Sequence, residues 1–71
     1  MYMEPVSGKR YRANFIVTKD KKGTLCAADM EQGIFTDGTT KEELLKNIRE
    51  AVEVAFDIDT YLEAEIRIKY N

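Results

Sequence analysis

One segment of the chain repeats its apolar residues at helical spacing, and the segments on either side alternate apolar with polar. Leu44, Leu45, Ile48, Ala51, Val52 and Ala55 form a stripe that predicts a helix over residues 41–56, with Lys46, Asn47, Arg49, Glu50 and Glu53 on its wet side. Thr40 stands where an N-cap belongs and Glu43 follows three positions on, the capping-box pattern in which each side chain satisfies an amide of the other. After the helix, Leu62, Ala64, Ile66, Ile68 and Tyr70 alternate with Tyr61, Glu63, Glu65, Arg67 and Lys69, which predicts a strand. Before the helix, Tyr11, Ala13, Phe15 and Val17 alternate with the more polar Arg12, Asn14, Ile16 and Thr18, so the first set should face the core.

The remaining elements follow from punctuation. Asp20-Lys21-Lys22-Gly23 reads as a hairpin turn, with Gly23 free to take a positive φ. Residues 24–29 return as a second strand, whose small Cys26, Ala27 and Ala28 suggest close packing under another element. Met30-Glu31-Gln32-Gly33 reads as a connection, residues 34–36 as a short third strand broken by Gly38, and residues 57–60 as a turn. The predicted class is therefore α+β: a small, mainly antiparallel sheet in the order strand, strand, strand, helix, strand, with one helix packed on one face. Residues 1–8 show no periodicity and read as an N-terminal arm, leaving residues 9–71 as a single domain.

A core this thin usually needs a supplement. Cys26 is the only cysteine and there is no histidine, so an internal disulfide and an ordinary zinc site are both excluded. Self-association, as a dimer or larger homo-oligomer, is the expected remedy. The net charge is −2, whereas a phosphate-binding domain normally carries a basic excess on one face. The basic residues that do gather, Lys9, Arg10 and Arg12 and then Lys19, Lys21 and Lys22, fit the solvated ends of an edge strand. No apolar run approaches the length of a membrane span, and residues 1–8 lack the order of a signal peptide. The free thiol fits a reducing compartment, so a cytoplasmic location is expected.

Residues 15–56, more than half of the chain, resemble the N-terminal domain of the HicB antitoxin family and its short, single-domain relatives. The matching features are Gly23 in the first turn, Asp29 through Gly33 after the second strand, Thr36 in the short strand, and Thr40, Glu43, Glu50 and Ala51 in the capped helix. It is the series at its spacing, not any one motif, that carries the likeness. The chain departs from the family where Asp29-Met30-Glu31-Gln32 runs one residue longer than the usual Asp-Leu-Pro-Gly and lacks its proline. It departs again where Gly38-Thr39 replaces an acidic residue before the cap. The resemblance implies a cut-down ribonuclease-H-like sheet. It implies a non-catalytic domain that docks on a small, basic, RNA-cleaving HicA-like toxin and covers its catalytic histidine. Full-length members continue into a DNA-binding module; with none expected here, the chain should neutralise a toxin without binding DNA when alone. The alternative is an orphan relative, an oligomeric scaffold or small-ligand module with no toxin.

Catalysis finds little footing in these residues. Histidine-assisted nucleophiles are excluded, and Cys26 between Leu25 and Ala27 reads as a buried structural thiol. A ribonuclease-H-like metal site needs carboxylates on its first strand, and residues 10–19 contain none; Asp29, Asp37, Asp57 and Asp59 stand at turns. No catalytic, metal-binding or cofactor-binding residue is therefore expected. What remains is surface: Arg12 and Ile16 on the first strand, and Tyr61, Glu63 and Glu65 on the last, are the expected interface on the sheet face away from the helix. Apolar Ile16 and Tyr61 on an otherwise polar face fit a subunit or partner contact.

Overall fold

The computed structural model describes residues 10–71, and the arm expected over residues 1–8 lies outside the described residues. Four strands, β1 (Tyr11–Lys19), β2 (Leu25–Asp29), β3 (Ile34–Gly38) and β4 (Ala64–Tyr70), form one sheet in the order β3-β2-β1-β4. A single helix, α1 (Lys41–Phe56), and a 3₁₀ turn (Tyr61–Glu63) connect β3 to β4. β1 pairs antiparallel with β2, and β2 with β3, but β4 runs parallel to β1. The helix supplies the long crossover that a parallel partner requires.

The two apolar patterns meet where the spacing predicts. Ala13, Phe15 and Val17 of β1 are buried against Leu44, Ile48 and Val52 of α1, with Ala27, Ile34 and Ala64 completing the core. The Tyr11 and Phe56 rings close one end of it, 5.1 Å apart. α1 lies over β2 and β3 rather than over the middle of the sheet. This offset leaves Ile66 and Ile68 only half-buried on the β4 side.

Each connection is fixed by a polar side chain. In the first turn the Asp20 carboxylate accepts the N–H groups of Lys22 and Thr24 at 2.8 and 2.9 Å, and Gly23 sits at φ +90°. At the helix start Thr40 Oγ1 accepts the Glu43 N–H at 3.1 Å, as expected of an N-cap. The return arm of the box is displaced by one residue: the Glu43 carboxylate takes the N–H and hydroxyl of Thr39, at 2.6 and 2.7 Å, instead of the Thr40 amide. At the other end Asp57 adopts the left-handed conformation, φ 56°, and the Asp57 and Ile58 amides return to carbonyls of the last turn.

Five expectations need correction. Gly38 does not break the third strand but closes it: β3 runs on to Gly38 because a bare Cα there lets the helix backbone approach. The last strand starts at Ala64, since Thr60 caps a 3₁₀ turn that takes up Tyr61–Glu63. Glu53 is half-buried, not on the wet side, because its carboxylate accepts the Tyr61 N–H at 2.9 Å and ties that turn to the helix. Ala55, placed on the buried stripe, is exposed, since the stripe drifts off the sheet towards the helix end. Cys26 is half-buried on the face away from the helix, beside Thr18, because its neighbours Leu25 and Ala27 take the inward positions.

Candidate protein-binding surface

The sheet face away from the helix is built by the residues of opposite parity to the core. β1 contributes Arg12, Asn14, Ile16 and Thr18, β2 contributes Cys26 and Ala28, β3 contributes Phe35 and Asp37, and β4 contributes Glu65, Arg67 and Lys69. Register aligns three apolar members of this set in one row: Ile16 opposes Ala28, and Ala28 opposes Phe35. Ile16 is 50% exposed, Phe35 63%, and Met30, just past the end of β2, 76%. Asn14, Ile16, Thr18, Ala28 and Met30 line a shallow, mainly apolar hollow of about 400 Å³ beside this row.

The half of the face nearer β4 is charged. Arg12 lies opposite Glu65 in the parallel register, its Nε 3.8 Å from the carboxylate, and Arg67 reaches the same carboxylate at 2.8 Å. These are exposed pairs of small energetic weight, and with Asn14 they line a small hollow of about 100 Å³. The face thus divides into an apolar half over β2 and β3 and a salt-bridged half over β1 and β4.

Asp29 holds the boundary between the halves. It is 3% exposed, and its two carboxylate oxygens accept the N–H of Asn14 at 2.9 Å and of Gln32 at 3.1 Å. The first bond continues the β1 ladder one step past the end of β2, and the second folds the 29–33 connection. Gly33, at φ +71°, completes that connection by donating to the Asp29 carbonyl at 2.8 Å. A buried carboxylate receiving a backbone amide on each oxygen is hydrogen-bonded in place, so Asp29 holds the connection to β1.

Of the expected interface residues, Arg12, Ile16 and Glu65 do share the open face. Tyr61 and Glu63 do not, because the 3₁₀ turn breaks the alternation that would have put them there. The Tyr61 ring instead lies under the Arg49 guanidinium of α1, 4.8 Å away. Both residues, with Leu45, Leu62, Ile66 and Ile68, line a groove of about 350 Å³ between the helix and β4. The remaining residues of the expected motif lie apart on strand and helix. Thr36 is half-buried opposite Ala27, Ala51 packs on the core, and Glu50 is exposed on the helix.

Two features of the face lay beyond sequence reasoning. Phe35 is apolar by type and would be assigned to a core, and only the inward position of Ile34 sends it outward. Met30 stood in a segment read as a connection. Among the described residues no group of three histidine, cysteine, aspartate or glutamate side chains is placed to hold a metal ion, and no helix is long and apolar enough to cross a membrane. Fold and surface together define a small α+β domain, a four-stranded mixed sheet with a helix on one face and an apolar row on the other. Comparison with known proteins finds no family model, no curated protein and no solved structure that matches the chain.

Proposed function

We propose that the chain is a non-catalytic, cytoplasmic protein-binding domain of the HicB antitoxin kind, which neutralises a small basic RNA-cleaving toxin by covering its active site. The observation that carries this reading is the uncovered sheet face, where Ile16, Ala28 and Phe35 form an apolar row with Met30 at its end. Large apolar side chains grouped on one exposed face favour a macromolecular partner. A charged rim of Arg12, Glu65 and Arg67 beside an apolar centre suits a specific contact. The net charge of −2 gives a basic partner a weak overall attraction, carried by carboxylates outside the rim, where Arg12, Arg67 and Lys69 outnumber Glu65. The toxin partner rests on the sequence resemblance carried by Gly23, Asp29, Gly33, Thr40 and Glu43 at their spacing.

The test uses a basic protein with a single histidine, if one is encoded beside this chain. Purified toxin should cleave RNA, equimolar chain should suppress the cleavage, and Ile16→Glu with Phe35→Glu should relieve the suppression without unfolding the domain. Full suppression by the folded double variant would remove the outer face as the binding surface. Lack of any effect of the wild-type chain on the toxin would favour the second reading, an oligomeric scaffold, which the open edge of β4 supports.

A further inference from the structure

The two edges of the sheet are not equally protected. β3 is five residues long, lies beneath the helix, and has its Asp37 carbonyl occupied by Asn47 Nδ2 at 2.7 Å. β4 is seven residues long, Ala64-Glu65-Ile66-Arg67-Ile68-Lys69-Tyr70, with neither proline nor glycine to interrupt it. The Asn71 N–H donates to the Val17 carbonyl at 3.0 Å. Odd-numbered residues of this strand therefore turn their backbone towards β1, and Ala64, Ile66 and Ile68 turn theirs away from the sheet. The outer edge of β4 presents the N–H and C=O groups of Ile66 and Ile68, while the Ala64 N–H is already donated to the Tyr61 carbonyl; natural sheets usually pair or cover such an edge. Along the same edge runs the groove lined by Leu45, Arg49, Leu62, Ile66 and Ile68.

We propose that the chain forms a two-fold homodimer in which β4 pairs antiparallel with β4 of a second copy, centred on Ile66, to make one eight-stranded sheet. Charge selects the register. Pairing about Ile66 sets Glu65 opposite Arg67 of the second copy, twice by symmetry, and sets Ala64 opposite Ile68. Centring on Glu65 or on Arg67 would place a charge directly against its own copy. Centring on Ala64 would run β4 of the second copy against the 3₁₀ turn at Tyr61–Glu63, and centring on Ile68 would oppose Arg67 to Lys69. Like charges directly opposite destabilise a pair of strands, so of these five registers only the one about Ile66 pairs strand with strand and avoids them.

The same register joins the apolar side. Ile66 and Ile68 project on the helix face and are half-buried in the single chain. In the dimer the four isoleucines meet across the axis, with Leu45 of each copy beside them. Leu62 and Tyr70, exposed at opposite ends of the groove side, come next to each other's copies. The proposal concerns the sheet edge and stands whether or not the outer face binds a toxin.

Sedimentation or light scattering across a concentration series is the test, with thermal melts as the folding control. The wild-type chain should show twice the 8.2 kDa mass of one copy. Arg67→Glu places like charges opposite each other at both pairs and should raise the dissociation constant at least about tenfold. The swap Glu65→Arg with Arg67→Glu, made together with Arg12→Glu so that position 65 keeps an opposite charge across β1, should restore dimerisation, since the register again pairs opposite charges. In hydrogen exchange the Ile66 and Ile68 amides, which face outward from the single chain, should become protected as the concentration rises. A wild-type monomer at high micromolar concentration would overturn the proposal. So would a dimer indifferent to Arg67→Glu, or one broken by Phe35→Glu, which would place the contact on the outer face.

Discussion

At Gly38 the deciding quantity is a distance. A Cβ built there would stand 2.6 Å from the Leu44 amide nitrogen and 2.8 Å from its Cα. Both atoms belong to the helix backbone, which cannot move aside as a flexible side chain could. Gly38→Ala should therefore destabilise the domain by about 1–3 kcal/mol, by urea denaturation, through overpacking at this crossing. Glu43 shows an electrostatic counterpart. The Thr39 N–H, then the Thr39 hydroxyl, and to a smaller extent Lys46, hold its carboxyl below the ordinary value near 4.5. A carboxylate lowered on folding contributes stability that is whole above its unfolded value and is lost as pH falls through the folded one. Glu43→Gln should accordingly lower stability at neutral pH and flatten its dependence in the acid range below 4.5; melts between neutrality and pH 3 that run parallel to wild type would contradict this.

Elements are held by unequal means, and the helix shows this best. Thr40→Ala removes one cap hydrogen bond at an exposed end and should cost about 0.5–2 kcal/mol. Ile48→Ala empties a fully buried position between helix and sheet and should cost about 2–5 kcal/mol. Denaturant melts that rank the two in the opposite order would show that the helix seats itself on another face. β4 depends on tertiary support of a different sort, because a parallel strand cannot be reached by a tight turn. It is delivered by the helix, the left-handed Asp57 and the Glu53–Tyr61 bond, which together reverse the chain and set Ala64 beside Tyr11.

For the whole molecule the balance of charge governs what the surface attracts. With a net charge of −2, and with Glu65 set between Arg12 and Arg67, the open face offers the phosphate backbone of DNA only Arg12, Arg67 and Lys69 among the described residues. The isolated chain should give no discrete gel-shift complex with its upstream DNA at physiological salt. A complex that survives competitor DNA would require the basic residues at 19–22 to be gathered by assembly.

Local pattern was enough to set several features. The three-and-four spacing of Leu44, Ile48 and Val52, the cap at Thr40, and the parity of Ala13, Phe15 and Val17 each depend on neighbours a few residues away. Periodicity and capping act over that same range, so the helix bounds and the core face of β1 were legible in the chain itself. The open face of β1, with Arg12 and Ile16, followed from the same parity. Other features belong to contacts between residues far apart in sequence. That β4 lies parallel to β1 depends on where the helix returns the chain. That Tyr61 turns under Arg49 depends on a carboxylate eight residues earlier. Phe35 joins Ile16 and Ala28 only through the register of three strands. Composition specifies which side chains would rather be buried, but a sheet has two faces and a small domain has one helix to cover them. Which apolar residues stay in water is decided by where that helix lies.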